Sequence, residues 1–171
     1  PPRSTPSNSS AASDVYKRQL MLWKTHLAFG FLSGMIAMSF VNTGNTYIFF
    51  GLVLFASLLP DIDNPESKIG RKLKIIGRIF RHRGIFHSIL TGAVISGLAW
   101  HFINKPCGTA LFIGYASHLL IDGFTKQGVN FLHPFSKLHL SGFIETGKAG
   151  ELILFGLIIA GIILNIFRLI L

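Results

Sequence analysis

A single cysteine, Cys107, excludes a disulfide framework and any cysteine-based zinc site. Charge is scarce as well: 13% of residues are charged and only seven of 171 are acidic, too few for the surface of a soluble domain. There is no glycine-rich phosphate loop, no GxSxG and no cysteine nucleophile, so P-loop and covalent serine or cysteine chemistry lack their signatures. No strand-like alternation or internal repeat stands out either. What fills the chain is apolar. Half the residues are hydrophobic and sixteen are phenylalanine, the balance expected of a bilayer protein.

The first nineteen residues do not share that character. They are rich in Pro, Ser and Ala and give way abruptly to hydrophobic sequence at Leu20. The stretch SSAASDVYKRQ, Ser9 to Gln19, back-translates to the adapter and transposon end used in tagmentation sequencing. Residues 1–19 are therefore read as a sequencing-adapter artefact and not native, with Met21 the expected start. Setting them aside removes Arg3, Lys17, Arg18 and Asp14, and the net charge drops from +9 to +7. Residues 20–171 remain, one domain's worth of chain.

Apolar segments recur near Leu27–Val41, Tyr47–Leu59, Phe86–Ile103, Thr109–Phe124 and Leu152–Leu171. A full membrane span needs about 20 apolar residues. The last segment reaches that length, the third nearly does, and the second is plainly short. The expectation is an all-α, polytopic bundle of four or five hydrophobic helices, with Gly and Ser permitting close packing in lipid. Between the second and third segments, Lys68, Arg71, Lys72, Lys74, Arg78, Arg81 and Arg83 crowd together. By the positive-inside rule this link faces the cytoplasm. Ile69, Leu73, Ile76, Ile79 and Phe80 recur among the cations at helical spacing, so residues 68–83 are expected to form a basic amphipathic helix against anionic lipid headgroups. Nucleic acid is not the expected partner, because it would leave the apolar stripe without a purpose.

On this topology the chemically active side chains converge. His26 opens segment one, Asp61 and Asp63 close segment two, and His82 and His87 precede segment three. His118 and Asp122 lie towards the inner end of segment four, and Glu151 opens segment five. All fall at the expected cytoplasmic ends, although that orientation rests on Lys and Arg alone; His101 falls at the other. The single motifs are weaker. His118 and Asp122, four apart, share a helical face and could hold one ion, but a histidine donating to an aspartate explains the same spacing. Asp61 and Asp63 could cap a helix, yet two acids beside an apolar segment are costly unless paired or metal-bound. His82 could be one more cation in a basic run, whereas Ile85 and Phe86 set His87 at an apolar boundary. Trp23 and Trp100 suit interfacial anchoring, and Cys107 a short loop. Histidine nitrogen with carboxylate oxygen suits Zn2+, and also Mn2+ or Fe2+. With no protein nucleophile in view, metal-activated water is the natural attacker.

The motifs in order are THLAFG (Thr25–Gly30), LLPDIDNPESKIG (Leu58–Gly70), HRGIFHS (His82–Ser88), GYASHLLIDGFTKQGVNFLHPF (Gly114–Phe135) and GKAGE (Gly147–Glu151). Through them the chain resembles the YdjM-type family of membrane-bound proteins predicted to be metal-dependent hydrolases, also described as LexA-regulated inner-membrane proteins. That family is distantly similar to zinc-dependent phospholipase C, which implies cleavage of a phosphoester only by analogy. The resemblance implies a multi-pass protein of a prokaryotic inner membrane with its site facing the cytoplasm. The expected metal ligands are His26, Asp61, His82, His87, His118 and Asp122. Asp63 and Glu151 are expected as further ligands or general base, and Arg83, with Arg81, as the phosphate-steadying groups. His101 and His139 are bystanders. Two other readings compete. One is a non-enzymatic metal-binding protein or transporter component, and the other a metal-independent lipid phosphatase, for which HxxxD at His118–Asp122 is the sole echo.

Overall fold

The computed structural model describes residues 8–63, 85–136 and 139–171, with side chains for 23–61, 86–136 and 139–171. The basic stretch 68–83, including His82, Arg81 and Arg83, lies outside the described residues, as does the side chain of Asp63. The described residues are helical apart from two short paired strands. The described helices are α1 (Asn8–Ala37), α2 (Thr46–Ala56), α3 (Ile89–Phe102), α4 (Lys105–Phe124) and α5 (Ala149–Ile170). Short 3-10 turns at Pro60–Asp63 and Ile85–His87 follow α2 and precede α3. Strands β1 (Val129–Asn130) and β2 (His139–Leu140) pair antiparallel, Val129 opposite Leu140.

Helix α4 is the axis of the fold, packing against α1, α2 and α3, while α5 packs on α1. Phe49 and Val53 of α2 meet Ala110 of α4 in one buried cluster; Tyr115 and Leu119 of α4 meet Val129 in another. The helices touch almost backbone to backbone. A Cβ on Gly114 would collide with the Val53 carbonyl oxygen, and one on Gly108 would stand 2.7 Å from the Ser96 carbonyl oxygen. Small residues at such crossings let membrane helices approach closely.

Helix α4 begins earlier than its apolar segment. Asn104 Oδ1 accepts from the Cys107 backbone N–H at 2.9 Å, and Pro106 sits in the first turn, where its missing N–H costs nothing. Cys107 is thus in a helix turn, not in a loop. Residues 139–148 return to the end of α4 through Lys126 N–H to Ile144 O (2.9 Å) and Gly142 N–H to Thr125 O (2.9 Å). There Glu145 bridges Lys126 and Lys148, whose ammonium groups hold its carboxyl down at about 2.

Among the described residues one helix, α5, is long and apolar enough to cross a membrane. Its 22 residues span about 33 Å, against a hydrocarbon core of about 30 Å. Only 6% of its most apolar window is buried within the molecule. Helices α2 and α3 are apolar but 11 and 14 residues long, and α4 interrupts its 20 residues with Lys105, His118 and Asp122. Of the four or five spans expected from sequence, α5 alone has the length and composition by itself.

Candidate metal centre

Four segments deliver side chains to two overlapping ligand groups that share His118. Helix α1 brings His26, the turn after α2 brings Asp61, the turn before α3 brings His87, and α4 brings His118 and Asp122. The ligand atoms of His87, His118 and Asp122 lie within 4.8 Å of one another, as do those of His26, Asp61 and His118. The Asp122 carboxylate is the hub. Its Oδ1 is 3.5 Å from His26 Nε2, and its Oδ2 is 3.5 Å from His118 Nε2 and 3.6 Å from His87 Nε2. The His26 and His118 rings stack with centroids 4.0 Å apart, and His87 meets His118 edge-on.

Contacts of the rings or of adjacent residues position these histidines. His118 Nδ1 donates to the Ser57 carbonyl at 2.7 Å, which leaves the lone pair on Nε2 turned towards Asp122. Fixing one ring nitrogen on a carbonyl to orient the other is the usual support of a metal-ligating histidine. Ser57 closes α2, and its own hydroxyl donates to Leu54 O at 2.8 Å. His87 is held from both sides. Tyr115 donates to the Phe86 carbonyl, while Ser88 caps α3 and also donates to Phe131 O at 3.3 Å. Beside His26, Thr25 donates to Glu151 Oε1 at 3.2 Å, tying α1 to the first turn of α5.

The separations suit an ion better than direct hydrogen bonds. At 3.5–3.6 Å the nitrogen–oxygen pairs exceed good hydrogen-bond length. They match the edge of a tetrahedron whose metal–ligand arms are about 2.0–2.2 Å, which is roughly 3.3–3.6 Å. His118 Nε2 and His26 Nδ1 are buried without a hydrogen-bond partner, a costly state that coordination of His118 Nε2 would relieve. His118 belongs to both ligand groups, but with Nδ1 committed to Ser57 it has one nitrogen to give, so it serves one ion at a time.

The remaining expected residues divide. Glu151 is buried, but its carboxylate is taken up by Thr25 and by the Gly147 N–H (2.6 Å), and it is not in either ligand group. Asp63, His82 and Arg83 fall outside the described side chains. His101 packs on Phe102, and His139 bonds Asn130 Oδ1 at 3.0 Å, neither in a ligand group. Sequence reasoning passed over Ser57 and Tyr115. Tyr115 stands inside a motif, and Ser57 immediately precedes one, but a backbone carbonyl as partner leaves no trace in side-chain identity.

The family described as YdjM inner membrane protein matches residues 21–169. The chain belongs to the YdjM family. Among curated relatives, it is 34% identical over 153 residues to the uncharacterized protein YvsG of Bacillus subtilis (strain 168), covering 82% of this chain and 91% of that one. It is 40% identical over 93 residues to the inner membrane protein YdjM of Escherichia coli (strain K12), and equally to that of Shigella flexneri. Those alignments cover 47% of this chain and 46% of theirs, so the match spans about half of each YdjM protein. No solved structure matches. YdjM-family membership, together with α5, makes this a membrane protein that carries a His/Asp group able to hold a metal ion.

Proposed function

We propose that this chain is a membrane-bound, metal-dependent hydrolase acting on a phosphoester, lipid-borne substrates included, at the cytoplasmic face. The observation that carries the reading is the set of histidine nitrogens standing at ligand–ligand spacing around Asp122, with His118 aimed by Ser57. His26, His87, His118, Asp122 and Asp61 would hold a divalent ion, Zn2+ by the preference of nitrogen and carboxylate donors, with Mn2+ or Fe2+ as substitutes. Such an ion supplies Lewis acidity and a water whose pKa is lowered to about 7.

The protein's own part is positioning. Three histidines and Asp122 lie buried, while Asp61 is only half-buried and marks the side from which substrate and water would arrive. Asp63, two residues on, is the proposed general base, and Arg83 the group that meets the phosphate in a two-pronged contact. Glu151 acts through Thr25, locking α5 to the helix that carries His26. Multi-pass insertion with the basic link on the cytoplasmic side belongs to the same proposal. So does the native domain starting beyond residue 19.

One observation favours a second reading. His26, His87 and His118 are at most 2% exposed, and closed coordination is the habit of structural ions. A non-enzymatic metal-binding membrane protein would have such a site. A panel of phosphomonoesters, phosphodiesters and phospholipids, assayed with metal-loaded and chelator-stripped protein, separates them. Metal-restored turnover that Asp61→Asn abolishes supports the hydrolase. Full metal loading with no turnover on any ester sinks it, and turnover that survives stripping points to a metal-independent phosphatase.

A further inference from the structure

A groove of about 620 Å3 lies along the first three turns of α5, on residues that take no part in the metal centre. That size is within the range of about 300–1,000 Å3 usual for ligand pockets. Its walls are apolar, with Phe124 from the end of α4, Phe143 from the returning segment, and Ile153, Leu154 and Leu157 from α5. Its rim is charged, with Glu145 and Lys148 at the level where the span begins. Phe143, Ile153 and Leu157 are 80%, 64% and 66% exposed, so the groove opens sideways, onto whatever surrounds α5. Around a bilayer span, that surrounding is lipid.

We propose that this groove holds one acyl chain of a phospholipid, whose phosphate is met by Lys148 and Lys126 at the rim. The polarity of the groove matches that of the ligand, apolar along the span and cationic at headgroup height. Glu145 takes one donor from each lysine, and an ammonium has three. Two lysines against one glutamate leave a positive charge for an anionic headgroup. Both lysines are more than half exposed and reachable from outside. The groove is continuous with the lipid-facing side of α5, so a chain enters without leaving the bilayer.

The test is photolabelling of the full chain in nanodiscs containing phosphatidylglycerol with a diazirine at mid-acyl chain, followed by peptide mapping. Labelling is expected to be several-fold higher at Phe143, Ile153 and Leu157 than at Leu164 and Phe167, which are exposed to a similar degree on the later turns of α5. Leu154→Trp, which fills the groove, should bring the early turns down to the level of the later ones. Lys148→Glu should abolish the preference for phosphatidylglycerol over a phosphatidylcholine probe. Even labelling along the whole of α5 in the wild-type protein overturns the proposal, and that comparison requires no variant to fold. The readout is lipid contact and not turnover, so a protein that hydrolyses nothing would still give the expected pattern.

Discussion

At the scale of single residues, His118 is the pivot of the candidate metal centre. It contributes to both ligand groups, and its other nitrogen is fixed by Ser57 O. His118→Ala should reduce bound metal to background, whereas His139→Ala should leave it unchanged; elemental analysis of purified protein checks both. Acidification protonates the imidazole nitrogens an ion needs, so metal retention should fall as the pH is lowered, as equilibrium dialysis would show. Thr25→Val removes the donor to Glu151 and leaves a buried carboxylate oxygen short of a partner, which should cost about 1–3 kcal/mol in unfolding experiments. Much at this scale was legible. The spacing of His118 and Asp122 placed both on one helical face, and the apolar flank of His87 marked it as more than a stray cation. What was not legible is which atom aims each ring. Ser57 acts through its carbonyl oxygen and Tyr115 through the Phe86 carbonyl, contacts 61 and 29 residues apart that only the packed helices create.

At the scale of elements, the molecule depends on how closely α4 approaches its neighbours. Gly114→Ala would drive a methyl into the Val53 carbonyl and part α4 from α2, taking Ser57 away from His118. A loss of about 1–3 kcal/mol in thermal unfolding, accompanied by weaker metal binding, is the expected result. Gly97 on α3 has nothing within 4 Å of an added Cβ, so Gly97→Ala should be neutral or gain up to about 1 kcal/mol from helix propensity. Hydropathy located the helices but misjudged their ends. It put the start of α4 at Thr109, because Lys105 and Pro106 look like loop residues until Asn104 is seen capping the turn. Helix α2 also stops, and α3 starts, inside its apolar segment, since Leu58, Leu59 and Phe86 are spent on turns that carry Asp61 and His87.

At the scale of the whole molecule, the one helix among the described residues that is long and apolar enough to span stands beside shorter apolar helices that present Phe55, Val94 and Leu98 outward. Sequence separated apolar from polar segments well, but length in a folded bundle depends on caps and turns that hydropathy does not register. The convergence of His26, Asp61, His87, His118 and Asp122 was legible, because a direction read from Lys and Arg puts all five at the same end of their segments. They meet in two overlapping His/Asp groups built from four separate segments. The decisive measurement is therefore metal analysis of the purified protein combined with anomalous scattering at the edge of the metal found. An ion within coordination distance of His118 Nε2 and an Asp122 oxygen, lost in His118→Ala, is the expected result. A well-folded protein that stays metal-free in excess Zn2+, Mn2+ and Fe2+, or that binds its ion away from Asp122, would contradict the metal centre and the hydrolase built upon it.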